Sequence, residues 1–316
     1  MIKFYIVISL LILALLILLN YSITITETFN NNTKYDFEKY CIQENNKNQN
    51  QLISRIRKVE NDTLYKINKL PKHKDKITIL IEDYKYFIDN ELPKLNKKVS
   101  LVITDHPFRS LDASVYNYKN FLNNKMIKNV YAEDWIDKEH PKLVILPIGV
   151  ESKASVLNSK EKEKDMIIIS KRQKKLKDKP LKIMCNSHFS KYTNPKSGSY
   201  NQRQEVVDKL KNNKLKNFWK NKTNRLKTWK LHDNYSFELC PEGNGLDTHR
   251  FYEALLLNTI PIVKRNSLES MYVKFPCVIV DNWNEITEKN CIKWKKDLVD
   301  RVENEKYKLY CEYWKK

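Results

Sequence analysis

The chain has 316 residues, of which 58 are Lys or Arg and 38 are Asp or Glu, giving a formal net charge of +20 at pH 7. This length leaves room for two ordinary domains, each able to bury a core. A positive excess suits nucleic acid, anionic lipid or a phosphorylated substrate. The lysines are scattered, however, and are not interleaved with aromatic residues. We therefore interpret the charge as a bias of composition and expect no nucleic-acid partner.

The N-terminus predicts a membrane anchor, because no charged residue occurs from Phe4 to Thr26. A helix of about 20 residues crosses the hydrocarbon core of a bilayer. A cleaved signal peptide is the alternative, since the most apolar part ends at Leu19, but no small-x-small cleavage site follows it. We predict an uncleaved transmembrane signal anchor at residues 4–26. Residues 1–3 would then be cytosolic, as in a single-pass type II membrane protein with a lumenal body of the Golgi or endoplasmic reticulum type.

Two further features bear on a lumenal body. Glycosylation sequons, which would make the chain a glycoprotein, occur at Asn31, Asn61, Asn221 and Asn234. Six cysteines are present without any Cys-x-x-Cys pair. Disulfide bonds and buried thiols are both compatible with that pattern.

Residues 27–75 are polar, rich in Asn and Lys, and lack a sustained apolar period, which is typical of a membrane-proximal stem. Short β-branched runs then predict strands. These runs are ITILI at 77–81, VSLVIT at 99–104 and LVILPIG at 143–149. A stretch typical of a helix, SVYNYKNFLNNKM, separates the last two.

A second series of strands follows a charged segment at 151–165. Its apolar runs are KIMCNS at 182–187, YSFELC at 235–240, IPIV at 260–263 and CVIVD at 277–281. Helices are expected at 201–212, at 247–258 and in an amphipathic tail at 291–316. Alternation of strands and helices predicts an α/β fold with parallel sheets covered on both faces. We predict two domains, residues 76–165 and residues 166–316.

The stretch FELCPEGNGLDTHRFYEALLLNTIPIVK, residues 237–264, contains two of the four glycines in the chain. Gly243 and Gly245 follow a strand, where they can adopt positive φ angles or let a ligand approach the backbone. Asp247 is suited to cap the N-terminus of the next helix. Such a terminus beyond the carboxyl edge of a parallel sheet favours an anionic diphosphate.

The helix after these glycines is apolar except for His249, Arg250 and Glu253, which can share one face. A buried Arg or Glu needs a partner. One interpretation is an ion pair between Arg250 and Glu253 that joins helix to loop. The other places Arg250 on phosphate and Glu253 on sugar hydroxyls.

The run YSFELCPEGNGLDTHRFYEALLLNTIPIVKRNSLESMY, followed by PCVIVDNWNEIT, resembles the C-terminal signature of exostosin-like glycosyltransferases. Members of that family carry Phe-x-Leu-x-Pro-x-Gly, then Arg-x-x-Glu-Ala-Leu, then Ile-Pro-Val or Ile-Pro-Ile. The match covers residues 235–289. It implies the GT-B architecture, in which two Rossmann-like domains hold the nucleotide-sugar mainly in the second domain.

The resemblance also implies roles for individual residues. Arg250 would lie near the donor diphosphate and Glu253 near its ribose. The segment NSHFSKYTNPKSGSYNQRQEVVDKL resembles the family's Thr-Asn-Pro…Arg segment and nominates Arg203 as a second diphosphate contact; an ordinary solvated helix residue is the alternative. The predicted donor-binding residues are Arg203, Glu242, Gly243, Gly245, Asp247, His249, Arg250 and Glu253.

The catalytic base is assigned less directly. VITDHPFRSLD lies where relatives often show a His-Asn-Ser-Asp type of sequence, so Asp105 and His106 are the catalytic candidates, although their order differs from that pattern. Asp134 is a third candidate base. The resemblance implies an inverting single displacement. No Asp-x-Asp and no His-x-x-x-His occurs, so we predict no metal and no cofactor other than the nucleotide-sugar substrate.

The sequence thus predicts a membrane-anchored glycosyltransferase that moves a sugar from a nucleotide-sugar, UDP-linked, to a glycan or glycoprotein acceptor. One alternative is a fucosyltransferase-like enzyme of the same architecture that uses a GDP-sugar. Another is a catalytically degenerate scaffold. The last is a membrane-tethered protein that binds polyanions through its positive charge.

Overall fold

The computed structural model describes residues 75–80, 83–104, 118–133, 140–150, 159–185, 199–218, 224–243, 245–310 and 313. The predicted anchor at residues 4–26, and all but the last residue of the predicted stem, lie outside these ranges. Within them, no helix has both the length and the apolar character needed to cross a membrane.

The first sheet consists of four parallel strands in the order β1-β2-β3-β4. The strands are β1 Lys76–Leu80, β2 Val99–Thr104, β3 Ile127–Ala132 and β4 Leu143–Ile145. Their apolar, β-branched runs suit strands that are buried on both faces. Parallel pairing places the carboxyl ends of all four strands at one edge of the sheet.

The second sheet has five parallel strands in the order β6-β5-β7-β8-β9. The strands are β5 Ile183–Cys185, β6 Lys216–Phe218, β7 Phe237–Leu239, β8 Ile260–Lys264 and β9 Val278–Val280. The chain runs outward from β5 to β6, returns to β7 on the other side of β5, and then continues outward through β8 and β9. The strand order therefore reverses between β5 and β7.

In the described residues, α-helices or 3-10 turns lie between successive strands, except between β3 and β4, where residues 134–139 are not described. The α-helices are α1 Tyr84–Tyr86, α2 Ser159–Arg172, α3 Ser199–Lys209, α4 Arg225–Leu231, α5 His249–Leu256, α6 Glu269–Tyr272 and α7 Glu288–Asn304. Helix α1 continues as a π-helical turn at Phe87–Glu91 and a 3-10 turn at Leu92–Lys94. Further 3-10 turns are Tyr118–Asn123, Leu176–Asp178, His232–Asn234, Trp283–Glu285 and Lys306–Leu309.

The predicted strands correspond to seven of these nine, and the prediction missed β3 and β6. Strand β3 was missed because Lys128, which is exposed, and Asn129, which is half-buried, interrupt its apolar run. Strand β6 is a short edge strand whose sequence, KNF, is mostly polar. In the helical stretch predicted at 114–126, the described part is a 3-10 turn in which Asn120 has a φ of 48°.

Two hydrophobic clusters cover the second sheet, one on each face. On one face, strand residues pack with α3 and α7, which contribute Val206 and Leu298 among others. On the other face lies α5, whose Phe251 and Tyr252 belong to a cluster that also contains Leu101 of the first sheet. Helix α5 is therefore buried where the two sheets share a core.

The chain is thus α/β with two parallel sheets, as the alternation of strands and helices predicted. The division at residues 165 and 166 stays a prediction; helix α2 spans that position, and its Met166 packs in the cluster shared with the first sheet. The cysteines in the described ranges are thiols rather than disulfides. They are Cys185, Cys240, Cys277 and Cys291.

Candidate functional site

The reversal of strand order in the second sheet marks a crevice at its carboxyl edge. The connection after β5 leaves towards β6, and the connection after β7 leaves in the opposite direction, towards β8. Two such diverging connections open a crevice beyond the strand ends, where open α/β sheets bind ligands. The glycine-containing stretch begins directly after β7, so it forms one wall of this crevice.

Gly243 makes room for an arginine rather than adopting a special backbone conformation. A Cβ atom at Gly243 would lie 3.1 Å from Nη2 of Arg203, and its φ is not in the left-handed region. The main-chain N–H of Gly243 donates to the oxygen of Gly245 at 2.9 Å. Of the two alternatives expected at Gly243, a positive φ is therefore not found, and the approach of a ligand stays a prediction; in the structure it is the side chain of Arg203 that lies close to this glycine.

Two arginines converge beside this turn. Arg203 comes from α3, which precedes β6, and its Nε donates to the main-chain oxygen of Glu242 at 2.8 Å. Burial, together with the positive charge of Arg250, lowers the pKa of Arg203 to about 10, which leaves it charged at neutral pH. Arg203 is thus not an ordinary solvated helix residue. Two neighbouring guanidinium groups favour an anionic ligand between them.

Arg250 pairs with a residue that sequence analysis did not identify. Its Nε is 3.3 Å from Oε1 of Glu238, in the middle of β7. The other carboxylate oxygen of Glu238 is 2.8 Å from Nε2 of His232. The predicted alternative, an ion pair between Arg250 and Glu253, was wrong because the strand and not the helix supplies the carboxylate.

Glu253 is held by a tryptophan and has one oxygen left over. Its Oε2 accepts a hydrogen bond from Nε1 of Trp229 at 3.0 Å. Its Oε1 is buried and has no hydrogen-bond partner among the described residues. A buried oxygen without a donor costs about 1–3 kcal/mol, so a ligand hydroxyl at this position would be stabilised.

Asp247 connects the crevice to the first sheet instead of capping α5. The helix begins at His249 with Thr248 as its N-cap residue, so the predicted cap was one residue too early. Asp247 Oδ2 accepts from the main-chain N–H of Ile148 at 3.1 Å and from the hydroxyl of Tyr252. Its Oδ1 accepts from the N–H of Thr248 at 2.8 Å.

His249 reinforces this connection. Its Nδ1 lies 2.8 Å from the main-chain oxygen of Gly149, which can only accept, so Nδ1 donates. Gly149 follows β4 and has a φ of 64°, a conformation that favours glycine. Glu242, the remaining predicted donor residue, accepts from Nδ2 of Asn266 at 3.2 Å. All the predicted donor-binding residues therefore lie around α5 and the turn before it, but Asp247 and His249 also contact the segment that follows β4 of the first sheet.

The catalytic candidates Asp105 and His106, and the third candidate Asp134, lie outside the described residues. Strands β2 and β3 pair in parallel, so the carboxyl ends of these two strands lie at the same edge of the sheet. Glu133, directly after β3, is a buried carboxyl group that was not among the residues predicted from the sequence. Within the described ranges, no three His, Cys, Asp or Glu side chains are grouped as metal ligands.

The missed residues carry different signals in the sequence. Glu238 is a charged residue inside the apolar strand FEL, and a buried charge requires a partner, so the strand itself indicated a special role. Trp229 lies in α4 and His232 directly follows that helix, so both are distant in sequence from α5. No local pattern predicts that the fold brings them to the crevice. Compared with known proteins, the chain matches no protein-family model, and no curated protein is significantly similar to it.

Proposed function

We propose that this chain is a glycosyltransferase that binds the diphosphate of a nucleotide-sugar between Arg203 and Arg250. The observation that carries this proposal is the convergence of two guanidinium groups, from two helices, at the point where the strand order of a parallel sheet reverses. Guanidinium groups bind phosphate oxygens through two parallel hydrogen bonds. The crevice at such a reversal is the usual ligand site of open α/β sheets.

Glu253 would bind the ribose of the same ligand. Its buried Oε1 needs a donor, and a ribose hydroxyl can provide one. Trp229 fixes the carboxyl group through the other oxygen. The diphosphate and the ribose would therefore contact the two polar positions, Arg250 and Glu253, that lie one turn apart on α5.

The chemical step follows from the resemblance to exostosin-like enzymes. An acceptor hydroxyl attacks the anomeric carbon, the bond from that carbon to the diphosphate oxygen breaks, and a base takes the hydroxyl proton. Asp105 or His106 is the proposed base. Holding both substrates in line provides much of the rate, and a base adds about 10²–10⁴-fold. Arg203 and Arg250 would stabilise the charge that develops on the leaving diphosphate.

The proposal includes the finer architecture predicted from sequence. The two sheets would be the cores of two Rossmann-like domains in the GT-B arrangement, with the acceptor on the first-sheet side. The anchor at residues 4–26 would hold the enzyme in the membrane as a type II protein. The hydrogen bonds of Asp247 and His249 to Ile148 and Gly149 support a crevice that both sheets contribute to.

The proposal is tested by nucleotide binding to the full chain in detergent, followed as a thermal shift. Uridine, guanosine and cytidine diphosphates are compared with and without EDTA. A ligand at about 100 times its dissociation constant stabilises by roughly 2.7 kcal/mol, which raises the melting temperature of a domain this size by roughly 5–10 °C. We expect one nucleotide to give this shift, insensitive to EDTA.

Arg250→Gln is the diagnostic variant, and Arg301→Gln is its matched control, because Arg301 on α7 also pairs with a glutamate, Glu305, which directly follows that helix. Removing one charge-assisted contact should weaken diphosphate binding roughly 10–100-fold, whereas the control should bind like the wild type. Preference for the guanosine nucleotide would favour the fucosyltransferase-like alternative. Absence of any shift in folded wild-type protein would overturn the proposal.

A further inference from the structure

A buried carboxylate, Glu238, lies behind Arg250 as seen from the crevice. Its Oε1 is 3.3 Å from Arg250 Nε, and its Oε2 is 2.8 Å from His232 Nε2. The side chains of Glu238 and His232 are each 2% exposed, whereas that of Arg250 is 14% exposed. His232 and Glu238 are therefore equally buried, and Glu238 lies between His232 and the more exposed Arg250.

The hydrogen bonds of His232 determine how many protons its ring carries. Nδ1 is 3.0 Å from the main-chain oxygen of Thr228, which can only accept, so Nδ1 carries a proton. The 2.8 Å contact between Nε2 and Glu238 Oε2 also requires a proton, because two lone pairs would repel at that distance. The ion pair between Arg250 and Glu238 requires a carboxylate, so the second proton belongs on Nε2 and the ring is an imidazolium.

This protonation changes the charge balance of the crevice. With all three groups ionised, Arg250, Glu238 and His232 together carry one net positive charge. A neutral His232 would leave Glu238 to cancel Arg250. The contact of Glu238 to His232 is within the 2.7–2.9 Å typical of charge-assisted hydrogen bonds, and its 3.3 Å contact to Arg250 is longer. The carboxylate is therefore balanced mainly by the histidine.

We infer that Glu238 and His232 are positioning residues of the diphosphate site. Glu238 fixes the guanidinium group of Arg250, and the proton on His232 balances the charge of Glu238, so that Glu238 does not offset the positive charge that Arg250 presents to phosphate. The identity of the ligand rests on the proposed function, whereas the protonation of His232 rests on its own hydrogen bonds.

The binding test uses inorganic pyrophosphate as the probe, the full chain in detergent, and isothermal titration calorimetry. His232→Gln removes the balancing proton and should weaken binding about tenfold, since Glu238 then cancels Arg250. Glu238→Gln removes the carboxylate and the proton together and should weaken binding only about threefold, through looser positioning of Arg250. The double variant should bind like Glu238→Gln alone, so the second substitution rescues the first.

A purely structural histidine predicts the opposite pattern. With a neutral His232, Glu238→Gln would add net positive charge and tighten pyrophosphate binding, and His232→Gln would leave it unchanged; either result would overturn the inference. In the Arg250→Gln background, both substitutions should lose their effect on binding. An effect on binding that persists in the Arg250→Gln background would show that His232 and Glu238 do not act through Arg250. Melting temperatures without ligand separate these effects from loss of folding.

A spectroscopic measurement on the wild type does not depend on how the variants fold. ¹⁵N-histidine labelling of the full chain should show two protonated ring nitrogens for His232, assigned by their loss in His232→Gln. A neutral ring would overturn the inference even if pyrophosphate binds. Conversely, an imidazolium signal from protein that binds no pyrophosphate and no nucleoside diphosphate would contradict the proposed function alone.

Discussion

At the carboxyl edge of the five-stranded sheet, Arg250 lies against a carboxylate, whereas at the amino edge Lys179 is buried against neutral oxygens. Lys179 Nζ donates to the main-chain oxygen of Leu257 at 2.6 Å and to Oγ1 of Thr259 at 3.2 Å. These two acceptors precede β8, and Lys179 itself precedes β5. The side chain therefore joins the amino ends of two strands and the C-terminal end of α5.

The two edges differ in what happens to the positive charge. Burial, helped by the charges of Lys306 and Lys174 and opposed by Asp233 and Glu238, lowers the pKa of Lys179 to about 7. The pKa of Arg203 at the other edge falls only to about 10. An amine that only joins structural elements can lose its proton, since its neutral acceptors do not need a cation. A site for a charged ligand must present its positive charge to that ligand, and this is the role that we infer for Glu238 and His232 in the proposed diphosphate site.

The largest expected effect that tests this comparison is a pH dependence of stability due to Lys179. Its pKa is about 7 in the folded chain, against about 10.4 when exposed in the unfolded chain. Between these values the unfolded chain binds more protons, so the free energy of unfolding rises with pH, by up to about 1.4 kcal/mol per pH unit. Below pH 7 both states are protonated and this contribution is flat.

Urea unfolding of wild type and Lys179→Met between pH 6 and pH 9 measures this contribution. The stability difference, wild type minus variant, should rise with pH across that range. Lys306, whose pKa burial lowers to about 8, should give the variant a smaller rise of its own. Parallel curves for the two proteins would mean that Lys179 keeps its proton, and that the two edges treat buried cations alike.

Much of the fold was predictable, because parallel strands buried on both faces leave apolar, β-branched runs in the sequence. Seven strands were predicted from such runs. Strands β3 and β6 were not predicted, because polar residues in IKNVYA and KNF interrupt the apolar run that indicates a strand. Which strands pair, and where their order reverses, depends on tertiary packing that no local pattern records.

The site was predictable where its residues are close in sequence. Arg250 and Glu253 were identified from an apolar helix that carries charges, and Arg203 from a resemblance. The partners of Arg250 and Glu253 were not predicted, because they lie on other elements. Glu238 comes from β7 and Trp229 from α4, and both meet α5 only in the folded chain. An ion pair between Arg250 and Glu253 was the simplest arrangement to predict from the local sequence, but in the structure the carboxylate beside Arg250 is that of Glu238, which is buried in β7.

Trp229→Phe tests whether Glu253 is held ready for a ligand at the carboxyl edge. The substitution removes the N–H that binds Oε2, leaving both carboxyl oxygens of Glu253 without a described donor. We expect the free energy of unfolding to fall by about 2 kcal/mol. Uridine diphosphate binding should weaken more than pyrophosphate binding, since pyrophosphate has no ribose. Chemical unfolding and calorimetry measure the two effects.

The matched comparison is the double variant Trp229→Phe with Glu253→Leu. Replacing both hydrogen-bond partners by apolar groups removes the unsatisfied carboxyl group, so the double variant should be less destabilised than the sum of the two single variants. Simple additivity would indicate that the lost tryptophan volume, rather than the hydrogen bond, accounts for the effect.

Gly243→Ala should have the smallest effect on folding and a selective effect on binding. The new Cβ would be 3.1 Å from Arg203 Nη2. Arg203 cannot move away freely, because its Nε donates a hydrogen bond to the main-chain oxygen of Glu242. Since the φ of Gly243 is not left-handed, alanine adds no strain of that kind, and we expect stability to change by less than about 1 kcal/mol. Displacing the guanidinium by a few tenths of an ångström should weaken pyrophosphate binding about threefold. In the Arg203→Gln background the same substitution should have no effect on affinity; a persistent loss would show that Gly243 serves the ligand directly and not through the arginine.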